Sequence, residues 1–75
     1  MEFLFVKYFR SRYVLLDGKR IGRTNKSLRV EAGSHRVDLG EVKNYAPEFH
    51  DIAISGTTQI FPMKVEFTYI GGATP

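Results

Sequence analysis

A chain of 75 residues with a formal net charge of +3 can close one modest core and has no room for a second domain. It has no cysteine, which excludes a disulfide framework and a thiolate metal site, so its six Phe and four Tyr must supply the packing. The opening apolar run, Phe3 to Val6, is shorter than the roughly 7 to 15 residues of a signal-peptide core or the ~20 of a membrane span, so neither is read here.

Phe3, Leu4, Phe5 and Val6 are apolar on both faces, the pattern of a strand inside a sheet, with Phe3 and Phe5 expected to anchor the core. Arg10-Ser11-Arg12 is a short polar break, which makes a hairpin of the first strand and the run Tyr13 to Leu16. Asp17-Gly18 then suits a two-residue turn in which both residues take positive φ. Gly22 allows a bend or bulge, and Thr24-Asn25 is a second polar break. Leu28 and Val30 alternate with Ser27, Arg29 and Glu31 as in a half-buried strand, and Ala32-Gly33-Ser34 turns the chain toward His35. Val37 and Leu39 continue a two-faced strand that ends at Gly40. Residues 40–47 have no period and read as a crossover loop, with Tyr45 folded back over the core rim.

Ile52 and Ile54 mark a further strand, closed by the turn Ser55-Gly56-Thr57-Thr58. Phe61, Met63, Val65, Phe67 and Tyr69 form one long apolar row, with Lys64, Glu66 and Thr68 on the other side. Pro62 lacks a donor and belongs near an edge or bulge. The tail at 71–75 has nothing to bury and is expected to be flexible. The fold class is all-β: a small antiparallel β-sandwich of about six to seven short strands, one domain over residues 1–70. A small closed barrel is the rival arrangement.

One pattern runs through the middle of the chain: Asp17-Gly18, Gly22-x-Thr24, the alternating Leu28 and Val30, then Gly33-x-His35, and further on Tyr45 followed by Pro47. It resembles the PEGA domain, a small all-β module, and the likeness runs from the first strand to Phe67. Asn25 stands where the family usually has Pro, Glu31-Ala32 where it usually has an early Pro, and Asn44 where it often has Gly. Asn is the best substitute for Gly at a left-handed position. The resemblance implies a sandwich and a non-catalytic structural or adhesive unit, set beside other domains in a larger envelope-associated or extracytoplasmic protein. It also implies that His35 is a turn and core residue.

The candidates for metal or acid–base chemistry are His35, His50, Asp38 and Asp51. His35 shares parity with Val37 and Leu39, and His50 with Ile52 and Ile54, so both rings are read at the core margin with one nitrogen bonded to backbone. There is no Gly-x-Ser-x-Gly elbow, and Gly18, Gly22 and Gly33 lead into no helix. No catalytic, cofactor-binding or metal-ligating residue is assigned, and no enzyme is expected.

Charge is unevenly spread. Residues 7 to 29 carry eight basic side chains against the single acid Asp17, and from residue 30 six acids face three basic residues. Lys19, Arg20, Arg23, Lys26 and Arg29 are the candidate anion-binding strip, with Arg29 pointing outward and Arg20, Arg23 and Lys26 in adjacent turns. Residues 19 to 29 hold no aromatic to interleave with them. The leading expectation is a structural spacer or a module that binds a protein or glycan. The alternative is binding of an anionic polymer, nucleic acid or acidic glycan, through the strip. Self-association through Phe3 to Val6 and an open sheet edge is also open.

Overall fold

The computed structural model describes residues 1–70. Among them are nine short strands and no helix: β1 Glu2–Lys7, β2 Tyr13–Leu16, β3 Lys19–Arg23, β4 Ser27–Val30, β5 Gly33–Asp38, β6 Tyr45–Ala46, β7 His50–Ile54, β8 Met63–Glu66 and β9 Thr68–Tyr69. The tail expected to be flexible, 71–75, lies outside the described residues. Two sheets face each other, a three-stranded one in the order β4-β1-β8 and a four-stranded one in the order β3-β2-β5-β7; β6 and β9 form a small third pair. The count exceeds the expected six to seven because two strands are only two residues long.

Alternation decides which side chains meet between the sheets. Leu28 and Val30 of β4, Val14 of β2, Val37 of β5 and Ile52 and Ile54 of β7 all turn inward, joined by Leu4 and Val6 of β1 and Val65 of β8. Tyr8, Leu39, Tyr45 and Phe67 close the ends of the same cluster. Phe67 is the anchor its parity predicts. Phe3 and Phe5 are not, since β1 settles with Leu4 and Val6 inside and leaves both Phe half-buried on the outer face of the three-stranded sheet. A strand apolar on both faces does not encode its own register, and cross-strand partners fix it: Leu4 lies opposite Leu28, and Phe3 opposite Arg29.

Two pairings depart from expectation. β1 and β2 are not hairpin neighbours, because residues 8–12 carry the chain from one sheet to the other. The polar groups of that crossing are met by the β3–β4 turn: Thr24 Oγ1 accepts from Arg12 N–H at 3.0 Å and donates to Arg10 C=O at 2.8 Å. Asn25 Oδ1 accepts from Tyr8 N–H at 3.1 Å, and Asn25 N–H donates to Val6 C=O at 2.7 Å. The sandwich is also not wholly antiparallel, since β1 runs parallel to β8, with Leu4 beside Met63 and Val6 beside Val65.

The long apolar row of the last third is broken into pieces. Phe61 is 77% exposed and precedes the strand, in a small loop where Thr58 N–H donates to Phe61 C=O at 3.1 Å and Phe61 N–H to Thr58 Oγ1 at 3.0 Å. Pro62 offers no donor, so pairing begins at Met63, on the sheet edge. Beyond Phe67 the chain leaves β1, and Tyr69 pairs with Tyr45 instead.

The corners behave as read. Asp17 and Gly18 have φ of 52° and 83°, as a two-residue hairpin with the sheet's own twist requires. Opposite Val14 and Leu15 the register of β3 shifts at Ile21, a bulge beside Gly22. Tyr45 is buried, its hydroxyl donating to Gly40 C=O at 2.8 Å and accepting from Leu39 N–H at 3.3 Å, which pins the crossover loop to the core.

Candidate functional site

The groups first considered for acid–base or metal work are used in turns and strand pairs. His35 Nδ1 lies 2.6 Å from Asp17 Oδ2, and its Nε2 2.8 Å from Glu31 C=O. Both partners accept only, so both bonds form together when the ring carries two protons. The bond to Asp17, followed by that to Glu31, raises the His35 pKa above its ordinary 6.5, and the same pair lowers that of Asp17. Asp17 Oδ1 also accepts from Arg36 N–H at 2.9 Å, so one carboxylate ties the β2–β3 turn to β5. His50 has its ring against Phe67 and Nε2 2.8 Å from Glu66 C=O, the marginal position read from its parity. Asp51 pairs with Arg36 Nε at 2.9 Å, and Asp38 accepts from Gly40 N–H at 2.8 Å. Among the described residues no three His, Asp or Glu side chains stand close enough together to hold a metal ion.

The basic strip is divided by the fold. Lys19, Arg20 and Arg23 belong to strand β3 and not to turns, and Arg20 and Arg23 stand on the outer face of the four-stranded sheet, since Ile21 between them packs against the core. Lys26 is in the β3–β4 turn. Arg29 does point outward, but from the three-stranded sheet, opposite Phe3. The five are thus not one strip: Arg20 and Arg23 share one outer face, and Arg29 lies on that of the other sheet.

The aromatic missing from residues 19 to 29 is supplied by the neighbouring strand. Tyr13 is the direct cross-strand partner of Arg23, and the bulge at Ile21 brings Arg20 to the same ring. The guanidinium carbons of Arg20 and Arg23 lie 4.0 and 4.2 Å from the Tyr13 ring centroid, a double cation–π contact on a side chain still 41% exposed. The hairpin signal at Asp17-Gly18 held half of the clue, for closing that turn places residue 13 against residue 22, and the bulge at Ile21 moves the partner on to residue 23. Beside them Arg12 is spent on structure: it donates to Leu39 C=O at 3.2 Å, Val42 C=O at 2.9 Å and Asn44 Oδ1 at 2.6 Å. Further aromatic–guanidinium contacts lie on the surface: Arg10 is over Phe9 at 4.4 Å and Tyr69 at 5.7 Å, the two rings 4.7 Å apart, and Arg36 is over Phe49 at 3.8 Å.

The family model of the PEGA domain matches residues 12–68. The chain belongs to the PEGA domain family. Among curated proteins and among solved structures, no match to the chain was found. The roles of the PEGA pattern can be read from the geometry: Asp17-Gly18 closes a hairpin and Thr24 bonds the sheet crossing. Gly22 is bare because a Cβ there would meet Leu28 Cδ2 at 2.5 Å. His35 clasps the first turn, and Tyr45 seals the crossover loop. Where this PEGA domain departs from the pattern, one reading needs correction. Asn44 does not take positive φ; its side chain accepts from Arg12, and its carbonyl accepts from Ile70 N–H at 3.0 Å. The left-handed asparagine is Asn25, at φ 63°, where Pro could not stand. Strand β1 precedes the matched span and still forms the centre of a sheet.

Proposed function

We propose that this PEGA domain is a non-catalytic interaction module, a rigid sandwich that separates its neighbours and presents an outer surface to a protein or glycan in an envelope-associated assembly. The observation that carries the reading is the placement of polar chemistry. His35, Asp17, His50, Thr24 and Arg12 direct their hydrogen bonds into the frame, whereas exposed aromatic rings topped by guanidinium groups face solvent at Tyr13, Phe9 and Phe49. Such surfaces combine flat apolar area with directed donors and lose little side-chain freedom on contact. NMR titration with neutral and acidic polysaccharides tests it, with the recovered polymer analysed for chain length. Amide shifts confined to the outward strand faces with the polymer unchanged support it; shortening of the polymer by the protein overturns it.

A second reading, anionic-polymer binding through Lys19, Arg20, Arg23, Lys26 and Arg29, draws support from the Tyr13 contact alone. It requires affinity to fall steeply between 20 and 200 mM salt through counterion release, and a salt-indifferent complex would reject it.

A further inference from the structure

We propose that the cleft between β2, β3 and the turn at Leu39–Glu41 binds an acidic sugar, its carboxylate held by Arg20 and Arg23. The proposal rests on the interaction-module reading and names the ligand class. The cleft has a volume of about 420 Å³, and its walls include Arg12, Tyr13, Leu15, Arg20, Arg23 and Gly40. Arg12 has given its donors to the loop carbonyls. Arg20 and Arg23 have not: Arg23 donates to Ser11 Oγ at 3.2 Å, and among the described residues no carboxylate pairs with either guanidinium. Contact with one ring holds both guanidiniums at the wall of the cleft, where their remaining N–H groups are open to a carboxylate.

The rest of the cleft selects the class of ligand. With two guanidiniums over Tyr13, its ring is already occupied as a stacking platform, which disfavours a nucleobase. Lys26 and Arg29 lie elsewhere, so no continuous basic track follows a phosphate backbone. Glu41 at the rim opposes a multiply charged group and can accept from a hydroxyl, while Leu15 and Gly40 offer an apolar floor. One carboxylate, several hydroxyls and a C–H face on a single ring describe a uronic acid.

The test is a titration of the protein with a polygalacturonate oligomer, using its methyl ester as the neutral counterpart and a mixed-sequence oligonucleotide as the rival anion. Binding of the acid but not the ester, with amide shifts centred on Tyr13, Arg20 and Arg23, is the result expected. R20Q/R23Q should weaken it at least about tenfold, the loss of one charge-assisted hydrogen bond, while K26Q/R29Q stays within about twofold. Equal binding of the ester, tighter binding of the oligonucleotide, absence of binding, or equal loss in both double variants overturns the proposal. The acid–ester comparison uses the unaltered protein and decides the matter even if R20Q/R23Q fails to fold. Shifts centred instead on Phe9 and Tyr69 reject this site and leave the interaction-module reading standing.

Discussion

Single side chains carry much of the order at the turns. Thr24 is 1% exposed and has both a donor and an acceptor role in the sheet crossing, so Thr24→Val leaves the part-buried Arg12 N–H without its acceptor and Arg10 C=O with only the 3.5 Å bond from Asn25 Nδ2. Thermal or urea unfolding should show a loss of about 1–3 kcal/mol. His35 gives a pH signature. Its folded pKa is raised, so its contribution is fully present below the ordinary value near 6.5 and is lost as pH rises through the folded value. Asp17 is lowered, so its contribution is present above the ordinary carboxylate value near 3.8 and is lost as pH falls through its own folded value. The clasp is thus strongest between those two ordinary values. The Tm should be higher at pH 5.5 than at pH 8.5, and His35→Gln should shrink that difference. A Tm difference unchanged in the variant would show that the ring does not hold the turn.

At the scale of strands and corners, what the sequence discloses depends on whether the information is local. Asp17-Gly18 and Ser55-Gly56 are legible because turn chemistry lies in adjacent residues, and the inward rows of β4, β5 and β7 because alternation has a period of two. The partner of β1 is not legible, since an all-apolar run fits several registers and its neighbours β4 and β8 are distant in the chain. Tyr13 with Arg20 and Arg23 falls between: the hairpin was readable, yet the cluster emerges only when the two strands are laid side by side. The long row from Phe61 misled for a related reason, because its period continues across Pro62 while its hydrogen bonding does not.

The same corners make firm predictions. Asn25→Pro, which restores the residue the family usually has, should destabilise by more than ~1 kcal/mol, because the native φ is positive and the amide donates to Val6. A gain in Tm on that change would reject the assigned geometry. Gly22→Ala must push Leu28 aside in the core, and a loss of about 1–3 kcal/mol is expected by the same measurement.

Among the described residues, one cluster of thirteen buried apolar side chains joins both sheets, and Leu4, Val6, Val14 and Val37 have no exposure at all. With neither disulfide nor second core in reserve, Leu4→Ala should cost about 2–5 kcal/mol, enough to approach the stability of so small a domain. Far-UV circular dichroism against temperature reads the outcome, and a near-native Tm would show that the centre of the three-stranded sheet is not where stability resides. Phe3→Ala and Phe5→Ala, on the outer face, should each cost less than Leu4→Ala in the same experiment.

The parallel seam between β1 and β8 sets the order of events during synthesis. Of the nine strands β1 is translated first, with one flank waiting for β4 and the other for β8, about 55 residues later, so the three-stranded sheet cannot be completed until the closing segment has been translated. Until then the row of Leu4 and Val6 lacks its last neighbour, and a nascent chain halted before Met63 should be cut by protease within residues that the finished domain protects.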